Sequence, residues 1–121
     1  MSLWVWLGVA AVGGFGAIMR FLLDGGIAQR LGRDFPFGTL IVNLTGAVLL
    51  GLVTGLALQG TALLLAGTAT IGSYTTFSTW MLETERLHED GDARGAVVNI
   101  VVSAAAGVAA AAAGRTIGAH L

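Results

Sequence analysis

The sequence has no cysteine, no lysine and a single proline, Pro36, in 121 residues. Without cysteine there are no disulfides and no thiolate-bound metals. Without lysine, arginine alone carries the side-chain positive charge, at six positions. Charge of either sign is scarce. Charged residues make up 11% of the chain, against about 25% in an ordinary soluble domain. The net charge of −1 leaves no basic footprint, so nucleic acid is not an expected partner. His88 and His120 have no ligand-like neighbours in sequence. No nucleophile is paired with a base, and no phosphate-cradling loop follows a strand. These absences argue against an enzyme. What is abundant is apolar: 55% of residues are hydrophobic, and 19 are glycine. A chain this short cannot hide that much apolar surface in its own core. It must face lipid or a partner.

A membrane span needs about 20 mostly apolar residues. Four stretches qualify, at roughly 3–23, 38–58, 61–82 and 95–117. The first lacks a basic start, and its only charge is Arg20 near its end, so it reads as a retained span and not as a signal peptide. The expected class is therefore all-α: an integral membrane subunit of four helices in one domain, 1–121. Asp24–Phe37 reads as a loop, Gln59-Gly60 as a tight hairpin connection, and Glu83–Arg94 as an acidic loop. Loops one and three share a side and hold Arg30, Arg33, Arg86 and Arg94, against Arg115 opposite. By the rule that arginine and lysine stay inside, both termini are expected outside.

The third stretch is unusual for a lipid-facing helix. Its later part, Gly67 to Trp80, holds seven serines and threonines and two glycines, Gly67 and Gly72. A break near Gly72–Thr76, buried at a helix interface, is one reading, because exposed backbone at membrane depth is tolerated only inside protein, against water or around an ion. An intact helix whose hydroxyls bond back to the i−4 carbonyl is the other. The residues alone leave both open.

Polar groups inside a span are functional candidates. Asn43 offers two amide donors, and Thr39 shares its helical face. Asn99 and Ser103 form an i, i+4 pair, whose plainer reading is interhelical hydrogen bonding. Phe77 and Trp80 are three apart and share a face. Ring edges are positive and favour anions, whereas ring faces favour cations. Trp4 and Trp6 suit a membrane-interface belt. Arg20 either snorkels to the interface or draws anions to a vestibule. Glu83 opens the acidic loop at a possible pore mouth.

Three segments carry a resemblance: Gly13-Gly14-Phe15-Gly16-Ala17-Ile18-Met19-Arg20-Phe21, Pro36 through Gly46, and Gly72-Ser73-Tyr74-Thr75-Thr76-Phe77-Ser78-Thr79-Trp80-Met81-Leu82-Glu83. Together they resemble the Fluc (CrcB) family of fluoride channels, in the family's order and across all four predicted spans. The resemblance implies an antiparallel, dual-topology dimer with a broken third transmembrane helix and two fluoride pathways. Asn43 would donate to the anion. Phe77 and Trp80 would form the aromatic sites, although the family usually has phenylalanine where Trp80 stands. Thr39, Thr76, Glu83, Ser103 and Asn99 would complete the pathway, with Asn99 replacing a usual tyrosine and Gly107 a later serine. Arg20 would lie at the vestibule. Carbonyls of Gly72 and Thr75 would hold a structural Na+ at the dimer centre.

The expected function is passive, fluoride-selective export across a bacterial plasma membrane, which lowers cytoplasmic fluoride. The alternative is a small proton-coupled multidrug-type transporter of four helices. That chemistry needs a carboxylate within a span, and the first span has none. The expected partners are fluoride, the lipid bilayer and a second copy inserted the opposite way. The four-to-one arginine bias also admits a heterodimer with an oppositely oriented paralogue.

Overall fold

A computed structural model describes all residues, 1–121, and every regular element is helical. Helix α1 spans Leu3–Leu31 and α2 spans Phe37–Gly55. A short α3, Gly60–Leu63, runs straight into a π-helical stretch, Leu64–Ile71, and then into α4, Gly72–Tyr74. After Thr75–Phe77 the chain resumes as α5, Ser78–Glu89, and ends in α6, Ala93–Ala119. Three helices, α1, α2 and α6, are each long and apolar enough to cross a membrane. No single helix covers 61–82, where a fourth span was expected.

The helices overrun the loops read from the sequence, for identifiable reasons. Helix α1 continues through Asp24 to Leu31, because residues 24–31 contain no proline. It stops where Gly32 takes a left-handed φ of 79° and returns its N–H to the Ala28 carbonyl, a turn that glycine makes without steric cost. The first loop is therefore residues 32–36. The acidic loop shrinks to three residues. Helix α5 carries Glu83–Glu89, Gly91 turns the chain at φ 84°, and Asp92 caps α6 by accepting from Gly95 N–H at 2.8 Å. The hairpin between α2 and α3 is Leu56–Gln59, with Ala57 at a positive φ of 56°.

Glycines set the closest helix approach. On α2, Gly51 and Gly55 are one turn apart, and on α6 so are Gly114 and Gly118. A Cβ at Gly51 would lie 2.1 Å from the Ala111 carbonyl oxygen, and one at Gly114 would lie 2.0 Å from that of Val48. The two backbones touch along this seam, as membrane helices do where small residues allow it. Elsewhere the surface is apolar: Trp4 is 80% exposed, Phe21 76% and Val108 73%. Such faces belong against lipid, since a water-soluble monomer rarely exposes so continuous a patch.

Candidate functional site

The site forms where α4 ends. The hydroxyls of the third stretch do bond back: Thr70 Oγ1 donates to Leu65 O at 2.6 Å, Ser73 Oγ to Thr70 O at 3.0 Å and Thr75 Oγ1 to Ile71 O at 3.1 Å. The five-residue step of Thr70 fits the π-helical winding around it. The last backbone bond of this helix runs from Thr75 N–H to Ile71 O. Thr75 itself is extended, with φ −82° and ψ 161°.

Asn43 takes over at that point. Its Oδ1 accepts from Thr76 N–H at 2.9 Å, and its Nδ2 donates to Thr76 O at 2.8 Å. A side-chain amide thus pairs with a backbone residue in both directions, as a strand neighbour would. The Thr76 N–H would otherwise have closed a helical bond onto Gly72 O. Three residues on, Thr79 N–H, which would have gone to Thr75 O, bonds Thr76 Oγ1 at 3.2 Å. The carbonyls of Gly72 and Thr75 are left without their helical donors. Thr75 O instead receives Arg20 Nη1 at 3.4 Å. Gly46 permits the approach of α2, since a Cβ there would lie 2.1 Å from Thr75 Cγ2.

Beside this turn lies an open groove of about 580 Å³, bordered by Asn43, Gly46, Gly72, Thr75, Phe77 and Trp80. Phe77, on its border, is 69% exposed. The rings of Phe77 and Trp80 meet edge-to-face, with centroids 5.7 Å apart and planes at 88°. A smaller cavity of about 200 Å³ holds Arg20, Asp24, Thr39, Thr76 and Thr79. A third, of about 360 Å³, opens among Asp24, Arg33, Glu83, Arg86, Asp90 and Asp92. Loops one and three therefore meet at one end of the bundle.

Thr39 Oγ1 donates to Glu83 Oε1 at this end. Glu83 stands just past the predicted third span. Burial raises its carboxyl above the ordinary carboxylate range. The Thr39 hydrogen bond pulls it down, nearby Asp24 pushes it up, and Arg86 and Arg33 lower it. Asn99 and Ser103 lie on the other flank. Asn99 is buried, its Nδ2 donating to Thr84 Oγ1 at 2.9 Å and its Oδ1 accepting from Ser103 at 3.4 Å. The structure thus groups Asn43, Thr75, Thr76, Phe77, Trp80, Gly72 and Arg20 around one turn, and sets Thr39 with Glu83 toward the polar end.

Three groups escaped the sequence reading. Thr84 is buried between Asn99 and Trp80, and Thr79 lines the cavity with Arg20. Thr45 Oγ1 lies 2.8 Å from the Tyr74 hydroxyl. Thr84 is four residues from Trp80, so helical spacing was the available signal. The glycine pairs of α2 and α6 carried a similar signal.

Residues 7–115 match the family model described as CrcB-like protein, Camphor Resistance (CrcB). The chain belongs to the CrcB family. Among CrcB relatives, it is 61% identical over 107 residues to a protein of Mycolicibacterium paratuberculosis named "Fluoride-specific ion channel FluC 2", with 88% of each chain covered. A protein of the same name from Mycobacterium tuberculosis H37Rv is 58% identical over 113 residues, or 93% of this chain and 90% of the relative. "Fluoride-specific ion channel FluC 1" of Rubrobacter xylanophilus is 46% identical over 110 residues, or 90% and 89%.

Proposed function

We propose that this CrcB-family chain is a subunit of a fluoride-selective channel that passively exports fluoride across a bacterial plasma membrane. The observation that carries this reading is the two-way bond between Asn43 and Thr76. It fixes a donor-bearing amide beside an open groove and an exposed aromatic ring. Asn43 spends one amide hydrogen on Thr76 O, which leaves the second for an anion. Fluoride is small and strongly hydrated, so it enters only where donors replace its water. The Asn43 amide and the ring edges of Phe77 and Trp80 are neutral donors of that kind, and the hydroxyls of Thr39, Thr76 and Ser103 would join them by rotating away from Glu83, Thr79 and Asn99. Neutral donors bind weakly enough to let the ion leave, as conduction through successive sites requires. Arg20 would attract anions toward the small cavity, and Glu83 would sit at the mouth. Asn99 would serve the same path from the α6 flank.

The third crossing is proposed to run from Gly60 to Leu82, interrupted at Thr75–Phe77. Its helical parts are the 4, 8 and 3 residues before the interruption and the first turn of α5 after it, Ser78–Leu82. At about 1.5 Å per residue they reach about 30 Å, the thickness of a hydrocarbon core. The groove is proposed as half of a pathway, completed by a second copy inserted the opposite way, with two pathways per dimer. The alternative partner is an oppositely oriented paralogue. A C-terminal reporter active on one side of the membrane separates these: two populations support the homodimer, and a single population supports the heterodimer.

The carbonyls of Gly72 and Thr75 suit a Na+ ion, since both have lost their helical donors and hard cations take oxygen ligands. Two from each of two copies would surround it. Bound there, it would offset the cost of bringing anions into a low dielectric. Arg20 already donates to Thr75 O, so that carbonyl would serve both cations through its two lone pairs.

Purified protein in liposomes is expected to release fluoride without a proton gradient and to retain chloride. Equal chloride release, or a requirement for a proton gradient, rejects the proposal.

A further inference from the structure

Trp80 is linked to Asn99 of α6 twice, once directly and once through Thr84 of its own helix. Its indole Nε1 donates to the Asn99 backbone carbonyl at 3.1 Å. Its own carbonyl accepts from Thr84 Oγ1 at 2.8 Å, and that hydroxyl accepts from Asn99 Nδ2 at 2.9 Å. The links close a ring: indole to Asn99 backbone, Asn99 amide to Thr84 hydroxyl, Thr84 hydroxyl back to the Trp80 backbone. Asn99 is only 1% exposed and Thr84 is 9% exposed, so water does not readily replace either partner. A side chain fixed at its backbone and at its far polar atom cannot turn about χ1 or χ2 without breaking a bond. Phenylalanine has no such donor and would be held by packing alone.

We infer that Thr84 and Asn99 are positioning residues that fix the orientation of the Trp80 ring against Phe77 and so set how well the groove passes fluoride over chloride. The inference rests on the channel reading above. The ring presents its positive edge or its negative face according to its angle. A pinned ring is organised for the ion in advance, and no binding energy is spent orienting it. The hydroxyl of Thr84 bonds both the Trp80 backbone and the Asn99 amide. Without it, α5 and α6 lose a bond beside the gap that the indole spans to reach the Asn99 carbonyl, so the ring is held by that bond and packing alone.

The test uses a background with Trp4→Phe and Trp6→Phe, so that Trp80 is the only indole. Thr84→Val removes the hydroxyl at nearly constant size, Thr84→Ala removes it with less risk of overpacking, and Thr84→Ser retains it. In liposomes, Thr84→Val or Thr84→Ala is expected to lower the fluoride-to-chloride flux ratio about 3- to 10-fold, the range set by one hydrogen bond. Trp80 emission should shift and its anisotropy fall. Thr84→Ser should restore both. On a Trp80→Phe background, Thr84→Val should change the ratio no further, because coupled positions are not additive. An equal effect with and without the indole would mean Thr84 is a packing residue and overturn the inference. An unchanged ratio and emission in Thr84→Val would overturn it too. If the unsubstituted protein passes no fluoride, the channel reading itself fails, and that result is distinct from both.

Discussion

Consider the same substitution, glycine to alanine, at two helical positions. At Gly114 the new Cβ would lie 2.0 Å from Val48 O, 2.8 Å from Val48 C and 3.0 Å from Leu52 N. All three are backbone atoms, so no side chain can swing away. A carbon–oxygen contact is comfortable only at about 3.3 Å or more. Helices α2 and α6 must therefore part by roughly 1 Å, which loosens the seam along Gly51, Gly55 and Gly118 together. Overpacking of this kind costs about 1–3 kcal/mol. At Gly26, in α1, nothing lies within 4 Å of the new Cβ. There alanine gains helix propensity of up to about 1 kcal/mol. Gly114 is helical too, so that gain cancels between the two variants and they should differ in unfolding free energy by the clash alone, about 1–3 kcal/mol, with Gly114→Ala the weaker. Denaturant titration of the detergent-solubilised protein, followed by circular dichroism, measures the difference. Equal stabilities would refute the claim that backbone contact at this seam holds α2 to α6.

Ala57 holds a left-handed φ that costs an L-residue about 1–2 kcal/mol, so Ala57→Gly should stabilise the fold by about 0.5–1 kcal/mol after its own entropy loss, read as a higher melting temperature. Asn43→Asp replaces the amide donors with a negative acceptor facing Thr76 O. It should reduce fluoride efflux below detection, and retained flux would make Asn43 purely structural. Glu83 has its carboxyl raised by burial, so it stays neutral to a higher pH than an ordinary carboxylate and becomes anionic above it. Fluoride current should therefore fall as pH rises through a point above the usual carboxylate range, and Glu83→Gln should remove that step in voltage-driven current measurements.

The long helices were legible in the sequence because lipid demands length and apolarity, and both can be counted along a chain. Their ends were less legible. Residues 24–31 and 83–89 are polar enough to read as loops, yet they continue helices into water, where a helix needs no apolar face. What stopped them was local and visible: Gly32, Gly91 and the Asp92 cap each occupy the position where their chemistry ends or starts a helix. The Gly51–Gly55 and Gly114–Gly118 pairs were visible as spacing, but spacing alone does not say that the two pairs face each other.

The turn after Tyr74 was not legible, because hydroxyl spacing does not say which N–H bonds within the helix and which bonds outside it. Thr70, Ser73 and Thr75 satisfy carbonyls of the helix they belong to, while Thr76 withdraws its N–H and gives it to Asn43. A helix can spare that bond only if another donor–acceptor pair of the same geometry waits at the right height. Asn43 supplies it from α2, and Gly46, one turn further along, leaves room for Thr75 to come close. The Val42-Asn43-Leu44-Thr45-Gly46 segment and the Thr75-Thr76-Phe77-Ser78-Thr79 segment are thus two halves of one device, a side-chain amide standing in for a missing turn of backbone. Separating them should fail in a defined way. Asn43→Leu leaves the Thr76 N–H and C=O without partners in a partly buried place, at a cost of about 1–3 kcal/mol for each group. The cheapest repair is for Thr76 N–H to return to Gly72 O. The helix would then extend past Tyr74 and carry Phe77 away from the groove. Hydrogen exchange at Thr76 and the edge-to-face contact of Phe77 with Trp80 should change together in that variant. If exchange at Thr76 rises while the aromatic contact persists, Phe77 is held by something other than the turn.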